Sequence, residues 1–277
     1  MNRILIPLDF SSESMHVYQF GIEYAQRIRA EVLIVHPIDV PVIQESTFGF
    51  QTFLYSQERH HKVLENALQM FEQFKEQCPS KVPVSFHPLH DDLPEGLPEF
   101  ARNNDVDMII ASTAGPKGLK DFIFGSPVKK IVRNSPVPVL LLPGETKIDD
   151  LKNIVFANSL EGDQDHLIQS VIKFQQALQA RLHLLFITTA ANSHSENRCL
   201  ALLESFALYY QLTNYTAKFR YSDSEESGII SFAEETNADV IAMGTHGRTG
   251  LAHLLQGSIA ESVLAKANRP MLISRLI

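Results

Sequence analysis

Residues 238–248 read ADVIAMGTHGR, and a second short signal, Gly257-Ser258, follows and leads into residues 259–265, IAESVLA. The apolar run up to Met243 predicts a buried strand, because strands covered on both faces are apolar throughout. The segment after Ser258 repeats its apolar residues at helical spacing, which predicts a helix that begins there. Glycine lets a backbone approach a phosphate closely, and a helix start leaves amide groups unpaired. The stretch therefore predicts a strand, a glycine loop and a helix start that together form an anion site.

The same pattern occurs earlier in the chain. Residues 105–115 read DVDMIIASTAG and are followed by Gly125-Ser126, with nine residues between Gly115 and Gly125, as between Gly247 and Gly257. The openings of the halves also match, because residues 3–11 (RILIPLDFS) and 153–160 (NIVFANSL) both predict a buried strand and then a polar turn. The chain is therefore an internal duplication.

Each half alternates predicted strands and helices. Predicted helices cover Ser14–Arg29, His60–Cys78, Leu93–Asn103, Gln164–Ala180, Arg198–Leu212 and Glu226–Asn237. The alternation implies parallel sheets covered on both faces, joined by right-handed crossovers. We therefore expect an α/β protein of two tandem doubly wound, Rossmann-like domains, residues 1–145 and 151–277, with a short polar linker within Gly144–Asp150.

The marks of the two halves resemble the universal stress protein family, specifically its tandem two-domain members. They are residues 4–11 (ILIPLDFS), residues 239–248 (DVIAMGTHGR), the glycine spacing and residues 268–273 (NRPMLI). The resemblance covers nearly the whole chain. It implies that the last strand of each domain lies at a sheet edge and pairs with its counterpart, which in one chain would give an intramolecular pseudo-dimer and hide both edges.

The resemblance also implies a ligand. In that family, two glycines separated by two residues, a third glycine nine residues later and then Ser or Thr mark the members that bind ATP. The second half matches this pattern completely, so the implied cofactor is ATP, with or without Mg²⁺. The implied phosphate and ribose residues are Gly244, Gly247, Gly257 and Ser258, with Met243, Thr245, His246, Arg248 and Ile259 as neighbouring contacts.

The first half departs from the pattern. Ser112 stands at the first glycine position, and Pro116 and Lys117 change the loop. Asp9, however, matches the acidic residue that the family places near adenine and ribose, where the second half carries Ser159. An alternative for Asp9, left open by the sequence, is a cap on the following helix. The prediction places the nucleotide in the second half.

Composition narrows the class of protein. The formal net charge is −8, the hydrophobic fraction is 44%, and there is no apolar run of membrane-spanning length. No leading signal segment precedes the first strand, and the isolated Cys78 and Cys199 fit reduced thiols, so we expect a cytoplasmic location. A membrane is not an expected partner, because no apolar run is long enough to span it. A nucleic acid is not expected either, because the charge balance is acidic.

The sequence offers no catalytic machinery that we can assign. It has no GxxxxGK[ST] loop, and Asp239 fits a strand-edge or packing carboxylate better than a catalyst. His60-His61, His87 and His90 lie in separate segments, so no metal site is predicted. The favoured function is a non-enzymatic, nucleotide-binding regulator of a stress response with unknown protein partners. A slow ATP-hydrolysing or adenylyl-transferring enzyme and a ligand-free interaction module remain as alternatives, and dimerisation of two chains stays open.

Overall fold

The structure is a computed structural model that describes residues 2–38, 50–90, 93–113, 126–160, 162–246 and 259–276. Its strands are β1 (Arg3–Pro7), β2 (Glu31–Pro37), β3 (Val84–Leu89), β4 (Met108–Ser112), β5 (Val139–Leu142), β6 (Asn153–Ala157), β7 (Arg181–Thr188), β8 (Tyr215–Tyr221), β9 (Val240–His246) and β10 (Met271–Leu276). Its helices are α1 (Ser12–Ile28), α2 (Phe50–Gln77), α3 (Leu93–Asn103), α4 (Ser126–Asn134), α5 (Asp165–Leu178), α6 (Glu196–Tyr209), α7 (Glu225–Glu235) and α8 (Ile259–Lys266). A short 3₁₀ helix, Ile148–Asp150, lies in the predicted linker.

The predicted α/β alternation is confirmed in both halves, with one substantial difference. Helix α2 begins at Phe50, whereas the sequence predicted a helix that begins at His60. Residues 50–57 read FQTFLYSQ, and the apolar residues at positions 50, 53 and 54 already have helical spacing. The helical pattern therefore already begins before His60.

The strands form one ten-stranded sheet in the order β3-β2-β1-β4-β5-β10-β9-β6-β7-β8. Pairing is parallel within each half, and the halves join through the antiparallel pair β5–β10, in the register Leu141 to Met271 and Val139 to Ile273. This pairing confirms the expected intramolecular pseudo-dimer. Because the joint is antiparallel, the strands of the two halves run in opposite directions. The carboxyl ends of the first-half strands and those of the second-half strands therefore point in opposite directions.

Both faces of the sheet are covered, as parallel strands require. The layer that includes α1 and α5 packs on one face with Ile4, Ile6, Phe156 and Leu272, all at most 1% exposed. The layer that includes α4 and α8 packs on the other face with Val139, Leu141, Ile241 and Ile273. The joining strands β5 and β10 pair with each other and, on their other sides, with β4 and β9, so neither presents an open edge.

The duplication is visible in the backbone itself. A left-handed residue follows the first strand of each half, Phe10 and Leu160, both with φ of 60°. Each first helix ends on another, Arg29 with φ of 57° and Gln179 with φ of 53°. These are non-glycine residues in a sparsely populated region, so their recurrence reflects one chain path used twice.

Asp239 has a structural role with a counterpart in the first half. Its Oδ2 accepts hydrogen bonds from the backbone N–H groups of Lys152 and Asn153, both at 2.8 Å. Asp107 accepts in the same way from Asn2 and Arg3, at 2.6 and 3.0 Å. Each carboxylate thus fixes the start of the first strand of its half, at the amino end, away from any crevice at the carboxyl end.

Candidate functional site

Of the second-half residues implied by the resemblance, the structure describes those near the end of β9 and at the start of α8. Gly244 and Thr245 are partly exposed near the end of β9, and α8 begins at Ile259, which is 41% exposed. Met243 is 5% exposed and belongs to the core cluster that includes residues of α8, so its side chain faces the core. Gly247, Arg248, Gly257 and Ser258 lie outside the described residues, as does the side chain of His246.

The sheet order identifies this place as a crevice. In the second half β6 lies between β9 and β7, so the chain moves from β6 in one direction to β7 and later returns to β9 on the other side. In open α/β sheets, ligands bind outside the carboxyl ends of the strands at such a switch point. Ala157 and Met243 are the last register partners, so Ser159, two residues further on, follows the end of β6 at the level of Thr245. The structure therefore brings Ser159, Gly244 and Thr245 to one crevice.

Asp9 does not belong to that crevice. Asp9 follows β1, which is separated from β9 by β4, β5 and β10. Because the strands of the two halves run antiparallel, the carboxyl end of β1 points away from the carboxyl end of β9. Its Oδ1 accepts hydrogen bonds from the backbone N–H of Ser11 at 3.0 Å and from Ser11 Oγ at 2.6 Å. Ser11 is the N-cap of α1 and accepts from the N–H of Ser14. Asp9 thus supports the helix cap, as in the alternative that the sequence left open.

Gly244 has a packing reason to be glycine. A Cβ atom built there would lie 2.6 Å from Cγ and from Cδ2 of Leu276, far inside the contact limit. Leu276 ends β10, is 8% exposed, and also lies 3.7 Å from the Cβ position of Gly162, whose φ is +70°. In the first half β5 stops at Leu142, and Ser112 occupies the position of Gly244. The glycine therefore accommodates a side chain of the same chain, which the phosphate argument alone did not predict.

Sequence reasoning missed two buried amides under the crevice. Asn158 and Gln164 are 4% and 6% exposed, and Oδ1 of Asn158 accepts from the N–H of Leu160 at 2.7 Å and from Nε2 of Gln164 at 2.8 Å. Within the described part of the chain, Nδ2 of Asn158 is buried without a hydrogen-bond partner. The first half has Leu8 at the position that corresponds to Asn158. A polar residue directly after an apolar strand, at a position that is apolar in the other half, is the sequence signal that could have indicated this buried amide. Such an unsatisfied donor requires explanation.

Two of the four histidines noted in the sequence, His60 and His90, contact each other. The rings of His60 and His90 stack with centroids 5.4 Å apart, and Nε2 of His87 lies 2.9 Å from Oγ of Ser85. The described ranges contain no cluster of three or more His, Cys, Asp or Glu side chains able to hold a metal ion. Because His60 and His90 are thirty positions apart in the chain, the sequence did not predict this contact.

His183 is buried in β7, near its amino end, and its Nδ1 lies 2.8 Å from Oγ1 of Thr216. Burial lowers its pKa, and the positive charges of Arg181 and Lys218 add to that effect. Because the pKa of His183 is lower in the folded than in the unfolded state, the unfolded chain takes up the proton at a higher pH than the folded protein. The free energy of unfolding therefore decreases as the pH drops below about 6.5, the ordinary pKa of histidine.

We expect His183→Leu, which copies Leu33 of the first half, to reduce the loss of stability between about pH 6.5 and pH 5. Urea unfolding at several pH values measures this. The exposed His166→Leu on α5 is the control, and equal acid sensitivity in both variants would contradict the assignment.

No helix in the described ranges combines the length and apolarity needed to cross a bilayer.

Comparison with known proteins gives matches over both halves. A family model described as the universal stress protein family matches residues 1–143 and 151–275. A universal stress protein E homolog of Haemophilus influenzae is 23% identical, with 95% of this chain and 94% of the relative covered. A universal stress protein of Methanocaldococcus jannaschii is 27% identical over 50% of this chain and 81% of its own length. The crystal structure of a universal stress protein from Archaeoglobus fulgidus superposes with a TM-score of 0.74, at 17% identity, over 99% of this chain and 98% of that one.

Proposed function

The chain belongs to the universal stress protein family, and on that premise we propose that its second half binds ATP and that the protein acts as a non-enzymatic regulator in a stress response. The proposed contacts are those that the resemblance implies, which are Met243, Gly244, Thr245, His246, Gly247, Arg248, Gly257, Ser258 and Ile259, joined by Ser159 from the neighbouring strand end. The proposed domain limits are residues 1–145 and 151–277, and the proposed location is the cytoplasm.

The observation that carries the proposal is the position of the complete glycine pattern. Its first residue, Gly244, lies in β9 beside β6, and its last residue, Ser258, directly precedes α8 in the sequence. The N-terminus of a helix attracts phosphate through its free N–H groups and its dipole. Asn158, directly after β6, has a buried Nδ2 without a hydrogen-bond partner among the described residues, a donor that a further partner would satisfy.

The non-enzymatic role is supported by two positions in the second half, Asp239 and Ser159. Phosphoryl transfer needs a positioned nucleophile and acidic ligands for the metal that neutralises the phosphates. Asp239 is committed to the start of β6 at the amino end of the sheet. The second half has Ser159 where the first half has Asp9. Binding with little or no turnover fits these residues best.

Calorimetric titration of the full chain with ATP and Mg²⁺ tests the proposal. We expect a single equivalent to bind, because only the second half has the complete pattern, and no ADP to accumulate in the same sample. Stoichiometric ADP release or adenylyl transfer would favour an enzyme. No binding at millimolar ATP would leave a ligand-free interaction module.

A further inference from the structure

An ion-pair cluster joins the two halves beside the proposed nucleotide site. Glu261, in the first turn of α8, accepts a hydrogen bond from Nη2 of Arg133 at 2.8 Å, and its Oε2 lies 3.2 Å from Nζ of Lys129. Both cations come from α4 of the first half. The Glu261 side chain is only 16% exposed, so solvent screens these contacts less than it screens a surface pair.

The direction of the helices explains how first-half residues reach this point. The halves meet through the antiparallel pair β5–β10, and α4 and α8 are the helices that precede these strands. Arg133, in the last turn of α4, consequently meets the first turn of α8. The basic C-terminal end of α4 therefore lies next to the N-terminal end of α8.

Glu261 lies where its charge matters for an anionic ligand. A carboxylate in the first turn of a helix is stabilised by the same positive end that would bind phosphate. An uncompensated Glu261 would therefore repel the ligand and compete with it. Burial raises the pKa of this carboxyl, but hydrogen bonds from Arg133 and Lys129 and their positive charges outweigh burial and hold the pKa below its ordinary value. The group is thus ionised, and its charge is balanced from the other half.

We propose that Lys129 and Arg133 of the first half are positioning residues for the second-half site, which neutralise Glu261 and so raise the affinity of the α8 N-terminus for nucleotide phosphates. The inference rests on the proposed function and assigns a role to the half whose own glycine pattern is incomplete. It makes the nucleotide site dependent on both halves of one chain.

The test measures ATP and AMP affinities of full-length variants by calorimetry. Lys129→Met combined with Arg133→Met is expected to weaken ATP binding about three- to tenfold, the range of first-turn charge effects at helix ends. AMP should lose less, because it carries fewer phosphate charges. The matched control is Lys130→Met, which removes a cation from the same helix that pairs with Glu95 inside the first half at 3.3 Å.

Adding Glu261→Gln to the double variant separates charge balance from mere support of the interface. We expect it to restore ATP affinity to within about twofold of wild type, since the repulsive carboxylate is then gone. A loss that Glu261→Gln does not restore, or that equals the loss in Lys130→Met, overturns the proposal. Thermal unfolding of each variant confirms that the fold persists. If the wild-type chain binds no nucleotide at all, the proposed function fails and this inference fails with it.

Discussion

Replacing Gly257 by valine is expected to abolish ATP binding while the protein stays folded. Gly257 is the third glycine of the pattern and directly precedes Ser258 and α8. A branched side chain there would keep a phosphate from the backbone N–H groups of the helix start. Losing as few as two charge-assisted hydrogen bonds, at about 1.5–3 kcal/mol each, weakens binding about 100-fold or more.

The duplication supplies the control for this experiment. Gly125 is the counterpart of Gly257 in the first half, where Ser112 already interrupts the pattern. We expect Gly125→Val to leave ATP affinity unchanged. Calorimetry together with circular dichroism measures binding and fold for both variants. Normal affinity in a folded Gly257→Val protein would move the nucleotide to another place in the molecule.

The second large effect concerns stability. Gly244→Ala should destabilise the protein by about 1–3 kcal/mol, because the new methyl group meets Leu276, whose nearest atoms lie 2.6 Å from the Cβ position. Combining it with Leu276→Ala should recover part of that loss, since the smaller side chain makes room for the methyl group. Urea unfolding of the two single variants and the double variant gives the coupling energy between the residues.

If the destabilisation in the double variant equals the sum of the two single changes, the packing explanation is contradicted. Ser112→Ala in the first half is the control for Gly244→Ala. Ser112 is the counterpart of Gly244, but no side chain corresponds to Leu276 there, because β5 ends at Leu142. The control change should therefore be small. ATP titration of Gly244→Ala also shows whether the first glycine serves packing alone or the ligand as well.

The sequence predicted the fold because its signals are local and occur twice. Apolar runs and helical spacing recur in both halves, so each half supports the interpretation of the other. The start of α2 was missed because the composition of a short segment such as residues 50–57 is compatible with a loop as well as with a helix. Helical spacing, rather than composition, was the better guide.

The site was predictable only in part, since its details depend on contacts between residues distant in the chain. The glycine spacing indicated β9 and α8, and the structure brings Ser159 to the same crevice. No local pattern could show that Leu276 occupies the space above Gly244, or that Arg133 reaches Glu261 from the other half. The resemblance matched Asp9 to an acidic residue near adenine and ribose, but it could not show that the antiparallel joint places Asp9 on the opposite side of the sheet from the carboxyl ends of the second-half strands.

The β5–β10 joint has a consequence for how the two halves diverge. A dimer of identical subunits must be self-complementary, so any charge near its two-fold axis faces a copy of itself. Fusion of two copies into one chain removes that constraint, because each half then has to match only its partner half. Lys129 and Glu261 occupy equivalent places in the two repeats and form an ion pair at 3.2 Å, a combination that identical subunits could not offer at those places. The joint therefore allows the halves to specialise while the sheet between them stays intact.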